Sequence, residues 1–261
     1  MFRTVYCEGG YRKADRVGNI KTENNMKKIC NVLALLFMVS LAFQAQSQSI
    51  HIQGGLNLAN MAISFDDDDD FDDFDFDTDW KLGFVLGATA LFPVTDLIEL
   101  ETGFLFSQKG FKYSDEYEFY DDFWDETETE KYKLDVRLLY LNIPITARAN
   151  FNFGDNAFFL QAGPYVGVGL TGTFKTEFEY SYNGFTESGK FEDDIEWGSG
   201  DDDDYKRLDY GLLFGAGIEF GRITFGVSYG LGLADIAPYD DATEKNKVLS
   251  FRLGYKINFM Q

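Results

Sequence analysis

The stretch Val248–Phe259, VLSFRLGYKINF, decides the fold. Taken at every second residue, Leu249, Phe251, Leu253, Tyr255, Ile257 and Phe259 make one apolar and aromatic face. Ser250, Arg252, Gly254, Lys256 and Asn258 make the other. Side chains alternate across a strand, so this segment has a greasy side and a wet side. A soluble sheet could carry that pattern once. Here it recurs along the chain, and the apolar faces are long and free of charge. That combination predicts an all-β protein: an eight-stranded antiparallel transmembrane up-and-down β-barrel.

The other strands follow the same rule. They are expected at 50–62, 80–92, 98–113, 132–149, 157–171, 208–220 and 223–233. The second puts Trp80, Leu82, Phe84, Leu86, Ala88, Ala90 and Phe92 outward, and the fifth Phe158, Leu160, Val166, Val168 and Leu170. In the fourth, Leu139, Leu141, Ile143 and Ile145 face out. Its phase slips near Leu138–Leu139, which predicts a β-bulge, and the inward Pro144 predicts a further bulge or break, because proline cannot donate to a ladder. The charges fall on the inward faces. Lys81, Lys109, Arg148, Arg252 and Lys256 oppose Glu99, Glu101, Asp209 and Glu219. An interior so nearly balanced reads as a salt-bridged plug rather than a selective channel. A lipocalin-like carrier would show the reverse, with apolar residues inside and charge outside.

Short and long connections alternate, the habit of outer-membrane barrels, with short turns in the periplasm and long loops at the cell surface. The long loops are expected at 63–79, 112–131, 172–207 and 234–247. An even strand number places both termini on the periplasmic side.

The N-terminus reads as a leader. Met26-Lys27-Lys28 supplies positive charge, Ile29–Phe43 an apolar run, and Ala45-Gln46-Ser47 the small residues of a cleavage site after Ser47. The run is shorter than the ~20 residues that span a bilayer as a helix. Residues 26–47 are thus a signal peptide, 1–25 an over-extended start without order, and 48–261 the barrel domain. Cys7 and Cys30 both precede the mature chain, which excludes disulfides, thiol catalysis and cysteine metal sites there.

A formal net charge of −21 excludes nucleic acid as a partner. The acid is densest in the first long loop, at Asp66, Asp67, Asp68, Asp69, Asp70, Asp72 and Asp73. Oxygen ligands suit divalent cations, but the calcium-loop spacing is missing, so loose cation association at the surface is the expectation. His51 is the one histidine and reads as an interior or rim residue. Glu99 and Glu101 share a strand face, but inward basic residues are their expected partners rather than a sugar. No cofactor motif and no catalytic constellation stands out.

Several segments resemble one family. Tyr140-Leu141-Asn142-Ile143-Pro144-Ile145 is similar to the Tyr-Leu-x-Ile-Pro core of the PorT-like outer-membrane β-barrel proteins of Bacteroidetes, and Gln161-Ala162-Gly163-Pro164-Tyr165 to their Ala-Gly-Pro-Tyr segment. Asp209-Tyr210-Gly211, Gly215-Ala216-Gly217, Tyr229-Gly230-Leu231-Gly232-Leu233 and Leu253-Gly254-Tyr255-Lys256 fit its later strands. The resemblance implies a barrel in the outer membrane of a Gram-negative bacterium, surrounded by lipid. Its PorT branch implies a role in protein secretion. Two functions follow as expectations: a structural or surface-interaction barrel with partners at the cell surface, or a narrow, porin-like pore or secretion-machine accessory.

Overall fold

A computed structural model describes residues 49–65, 74–76, 78–121, 126–182, 185–200, 202–239 and 242–258. The leader, Cys7, Cys30 and the run Asp66–Asp73 lie outside them. The described strands are β1 (Ser49–Phe65), β2 (Phe74–Phe76), β3 (Lys81–Pro93), β4 (Ile98–Asp121), β5 (Glu126–Phe153), β6 (Asn156–Tyr182), β7 (Phe185–Asp194), β8 (Leu208–Phe220), β9 (Ile223–Gly232) and β10 (Ala242–Asn258). All pair antiparallel. The order β10-β9-β8-β6-β5-β4-β3-β1 closes into a ring through a β1–β10 seam that runs from Ser49↔Asn258 to Phe65↔Ala242. Among the described residues, eight strands make the ring, while β2 adds to the far end of β1 and β7 to the far end of β6.

Three tight turns, at Pro93–Ile98, Phe153–Asn156 and Phe220–Ile223, gather at one end of the ring with Ser49 and Asn258. The long connections gather at the other. Between them runs an exposed apolar belt. On β10 it spans Leu249 to Ile257, opposite Leu58 to Ile50 on β1. Those nine-residue runs match a tilted membrane strand of about 9–11 residues. Outward side chains within the belt, such as Leu56, Leu82, Phe225 and Leu253, are about half exposed, which is tolerable only in lipid.

Two sequence expectations are corrected. Within the expected loops, 112–121, 126–131, 172–182 and 185–194 are strand, and β1 and β10 run into the other two at 63–65 and 242–247. The β4–β5 ladder continues to Asp121↔Glu126, and the β6–β7 ladder to Tyr182↔Phe185. Together β4–β7 raise a sheet well beyond the ring. The register shift lies at Leu139/Tyr140, close to its expected place, but the extra residue is on the neighbour: Leu139 faces Thr171 and Tyr140 faces Gly169, leaving Leu170 over on β6. On β5 the alternation itself never slips. Leu138 and Tyr140 are both fully buried and point inward with Thr146 and Arg148. At Pro144 the ladder breaks without shifting: pairing to β6 stops after Pro144↔Tyr165 and resumes in the same register at Ala147↔Ala162.

Candidate functional site: a lumen closed in layers

The inward side chains stack in layers from the short-turn end upward. At the bottom, a vestibule of 520 Å³ opens between the turn at Pro93–Asp96 and Asn152. Its roof is an ion-pair cluster. Arg148 Nη2 donates to Glu219 Oε2 at 2.6 Å and its Nε to Asn150 Oδ1 at 2.9 Å. Asn150 donates to Glu99 at 2.8 Å, and Lys256 donates to Glu219 at 3.2 Å and lies 3.7 Å from Glu99. The Arg148 guanidinium stacks over the Phe159 ring at 3.8 Å. Four strands contribute to this cluster, so it fixes the ring's cross-section as well as its charge.

The next layer centres on Glu101. Its Oε1 accepts from Thr89 at 2.7 Å and Gln53 at 3.1 Å, and His51 Nδ1 lies 3.7 Å away. Arg252 donates to Gln53 Oε1 at 2.9 Å. With its amide oriented to match donors to acceptors, Gln161 donates to Glu101 at 3.2 Å and accepts from Arg252 at 2.7 Å. Gly254 leaves the room that the His51 ring fills: a β-carbon there would stand 2.0 Å from Nε2. His51 is therefore an interior residue at 5% exposure.

Above this, Asn57 donates to Ser107 at 2.9 Å and accepts from Ser250 at 2.7 Å, linking β1 to β4 and β10. A cavity of 40 Å³ lies beside Ser107, Asn142 and Ser228, room for a few water molecules. Then comes a buried pair. Lys109 Nζ donates to Asp209 Oδ2 at 2.6 Å, and Asn246 donates to the same oxygen at 3.1 Å. The ammonium also sits 4.7 Å from the centroids of both the Tyr140 and Tyr165 rings. A carboxylate and two aromatic faces thus hold one cation away from water.

The last layer is apolar. Met61, Ile63, Phe111, Val136, Leu138, Ile195 and Ile236 form one buried cluster inside the ring. Strands β1, β4 and β5 supply most of it, and two connections fold inward to complete it. The first, 195–207, is pinned by Gly198 N donating to Tyr205 O at 3.0 Å and Asp204 N to Glu196 O at 2.8 Å. It lays Trp197 edge-on to Tyr140, ring centroids 5.5 Å apart. Gly169 admits that indole, since a β-carbon there would lie 2.3 Å from it. The second, around Ile236, is tied down by Lys206 N to Ile236 O at 2.8 Å and Ile236 N to Glu244 O at 2.9 Å. Burial pushes the Glu244 carboxyl up to about 7, a rise that the Tyr205 hydroxyl partly offsets and the nearby Asp235 reinforces. Glu244 pairs with Ile63, beyond the apolar belt.

Of the inward charges read from the sequence, Glu99, Arg148, Glu219 and Lys256 meet in the lowest cluster, Glu101 and Arg252 in the next, and Lys109 and Asp209 in the pair above. Lys81 is buried but takes another partner: it pairs with Asp135 on the extension of β5, whose carboxylate also takes Arg137 at 3.3 Å. The sequence reading missed Asp135, Asn246 and the apolar plug of Trp197, Tyr205 and Ile236. The signal for the plug was an apolar pattern inside segments taken as loops. Among the described residues no group of His, Cys, Asp or Glu is arranged to hold a metal ion.

Comparison with known proteins gives the family. The outer membrane protein beta-barrel domain model matches residues 44–237, most of the chain, and the chain belongs to that family. No curated protein matches the chain. Among solved structures, Ail, the attachment invasion locus protein of Yersinia pestis, shares 15% identity over 81% of this chain and 99% of its own, with a TM-score of 0.32. Neisserial surface protein A shares 9% over 80% and 97%, at 0.36. The COG4313 outer membrane channel from Pseudomonas putida F1 shares 10% over 81% and 96%, at 0.27. At such scores these neighbours do not bear on function.

Proposed function

We propose that this member of the outer membrane β-barrel family is a closed, non-catalytic scaffold that presents the β4–β7 sheet at the cell surface for contact with a partner. The observation that carries the reading is the layered lumen. Ions could enter the vestibule, but the Arg148–Glu219 and Glu101–Arg252 clusters, the Lys109–Asp209 pair and the apolar plug lie in series above it. A small barrel has an interior just wide enough for side chains to fill, and this one is filled. Orientation follows from connection length: short turns and both termini in the periplasm, the raised sheet outside. Residues 26–47 act as a cleaved signal. The run Asp66–Asp73 associates loosely with divalent cations. A role in protein secretion, as the PorT-like resemblance implies, would use the same sheet against a subunit of the machine.

The test is planar-bilayer recording on the refolded mature chain, with its folded state checked by the gel-mobility shift between unheated and boiled samples. No reproducible open level is expected. A steady open level from heat-modifiable protein would overturn the closed-barrel reading and bring the pore forward.

A further inference from the structure

The raised sheet has two unlike faces. On one, Tyr113, Tyr117, Tyr132, Phe174, Phe178 and Phe191 stand together. The register places them there: Tyr132 faces Phe178 and Leu134 faces Tyr113, with Phe174 and Phe191 one diagonal step apart. The ring contacts agree, at 6.3 Å for Tyr113–Tyr132 and 5.8 Å for Phe174–Phe191. This face continues the apolar plug upward, since Tyr113, Leu134 and Phe174 pack on its core. It then leaves cover. Tyr117, Tyr132, Phe178 and Phe191 are 40–54% exposed above the belt, where there is no lipid to meet them. Clustered exposed aromatics of this kind mark an interaction surface.

The charges say what kind. Asp115, Glu128, Glu130, Glu187 and Asp193 share the aromatic face by the same register, and Tyr180, whose hydroxyl donates to Glu128 at 2.8 Å, lies there too. Every lysine and arginine of the raised sheet is on the opposite face: Lys112, Lys131, Lys133, Arg137, Lys175 and Lys190. Those cations have acids of their own, as in Lys131–Glu116 at 3.1 Å and Lys190–Glu177 at 3.9 Å. The aromatic face therefore carries negative charge with no positive charge among its described side chains. Rings beside carboxylates are a cation-binding chemistry. The chain uses it internally, where Lys109 sits against Tyr140, Tyr165 and Asp209.

We infer that the aromatic face of the β4–β7 sheet docks a lysine- and arginine-rich polypeptide segment of a partner protein. This rests on the reading of the barrel as a surface scaffold. Its cations would lie over the exposed rings and pair with Glu130 and Glu187, while their aliphatic stems cover Phe178 and Phe191.

The test uses the full mature barrel in a zwitterionic detergent and a fluorescent ten-residue oligolysine as probe, read by anisotropy. Glu130→Gln with Glu187→Gln is compared with Glu118→Gln with Glu179→Gln, which removes the same charge from the opposite face. Phe178→Ala with Phe191→Ala removes exposed rings. Heat modifiability confirms that each variant has kept its barrel. We expect affinity to fall at least fivefold in the first and third pairs and to stay within twofold in the second. Equal losses from both charge pairs would mean attraction to the net charge alone and would sink the proposal. So would undiminished binding in the ring variant, or a neutral dextran oligosaccharide binding to the rings in place of the probe. Conductance is a separate readout, so a conducting barrel and a face that ignores oligolysine are distinct failures.

Discussion

Below the level of Lys109, the barrel is polar inside and apolar outside; above it, the same strands are apolar inside and charged outside. β5 shows the exchange on one continuous strand. Asn142, Thr146 and Arg148 point inward beneath, with Leu141, Ile143 and Ile145 toward lipid. Above, Leu134, Val136 and Leu138 point inward, with Lys133 and Arg137 exposed and Asp135 half-buried against Lys81. β1 does the same, passing from inward His51, Gln53 and Asn57 to inward Ala59, Met61 and Ile63. β6 reaches the same end differently. The residues that face lipid below, Phe158 to Leu170, and those on the inner face above, Phe174 and Phe178, share one parity, and the extra Leu170 swaps the side on which they emerge. What differs between the halves is the solvent. Apolar side chains go wherever water is absent, which is lipid below and the plug above.

Three experiments would break or sharpen that contrast. The largest effect should come from the boundary itself. Asp209→Ala strands a buried Lys109 between two rings, and removing one partner of a buried pair costs about 3–5 kcal/mol. Urea unfolding in detergent micelles would measure it, and a Lys109→Met, Asp209→Leu double variant should recover most of the loss. A double variant as weak as the single would show that the pair is not the boundary's keystone.

Next, the solvent assignment predicts that one substitution has two prices. Leu253→Arg puts a charge near the middle of the apolar belt and should cost about 2–4 kcal/mol. Ser64→Arg, outward on β1 above the belt, should stay within about 0.5 kcal/mol. Equal costs, read from folding yield and unfolding midpoint in lipid vesicles, would remove the belt's upper edge from where it is drawn.

The smallest effect is a pH dependence confined to the upper half. Glu244 titrates near 7 when folded and near 4.5 when unfolded, so the folded state holds its proton more tightly. Its contribution is complete below about 4.5 and is lost as pH rises through about 7. Amide protection factors around Ile236 and Tyr205, with the intrinsic rise of exchange with pH divided out, should therefore fall between pH 5 and 8, while those of the Glu101 layer hold. Glu244→Gln should flatten the response; an unchanged response would clear Glu244 of the role.

The same contrast explains which parts of the fold could be read from the sequence. The belt strands were legible because charge avoids one parity for nine or more residues, as in Leu249–Ile257. Ring closure and the inward charges followed from that rule. The upper half was not legible because its rule is the opposite one. Leu138 beside Leu139 looks like a strand losing phase, when it is one strand passing between media. The raised sheet looks like acidic loop because Glu116, Glu118, Glu177 and Glu179 are frequent there, and they are frequent because that face is wet. Partners such as Lys81 with Asp135 depend on how strands splay above the ring, which periodicity does not encode.

The seam between β1 and β10 has a consequence in time. It joins Ser49 to Asn258, the first and last of the described residues. No hairpin can stand in for it, so the ring stays open until the final strand exists. Until then β1 offers an unpaired edge and each strand an apolar face, and both invite aggregation. Such a ring cannot close while the chain is still being made; it closes in one late step, whose loop spans the whole barrel.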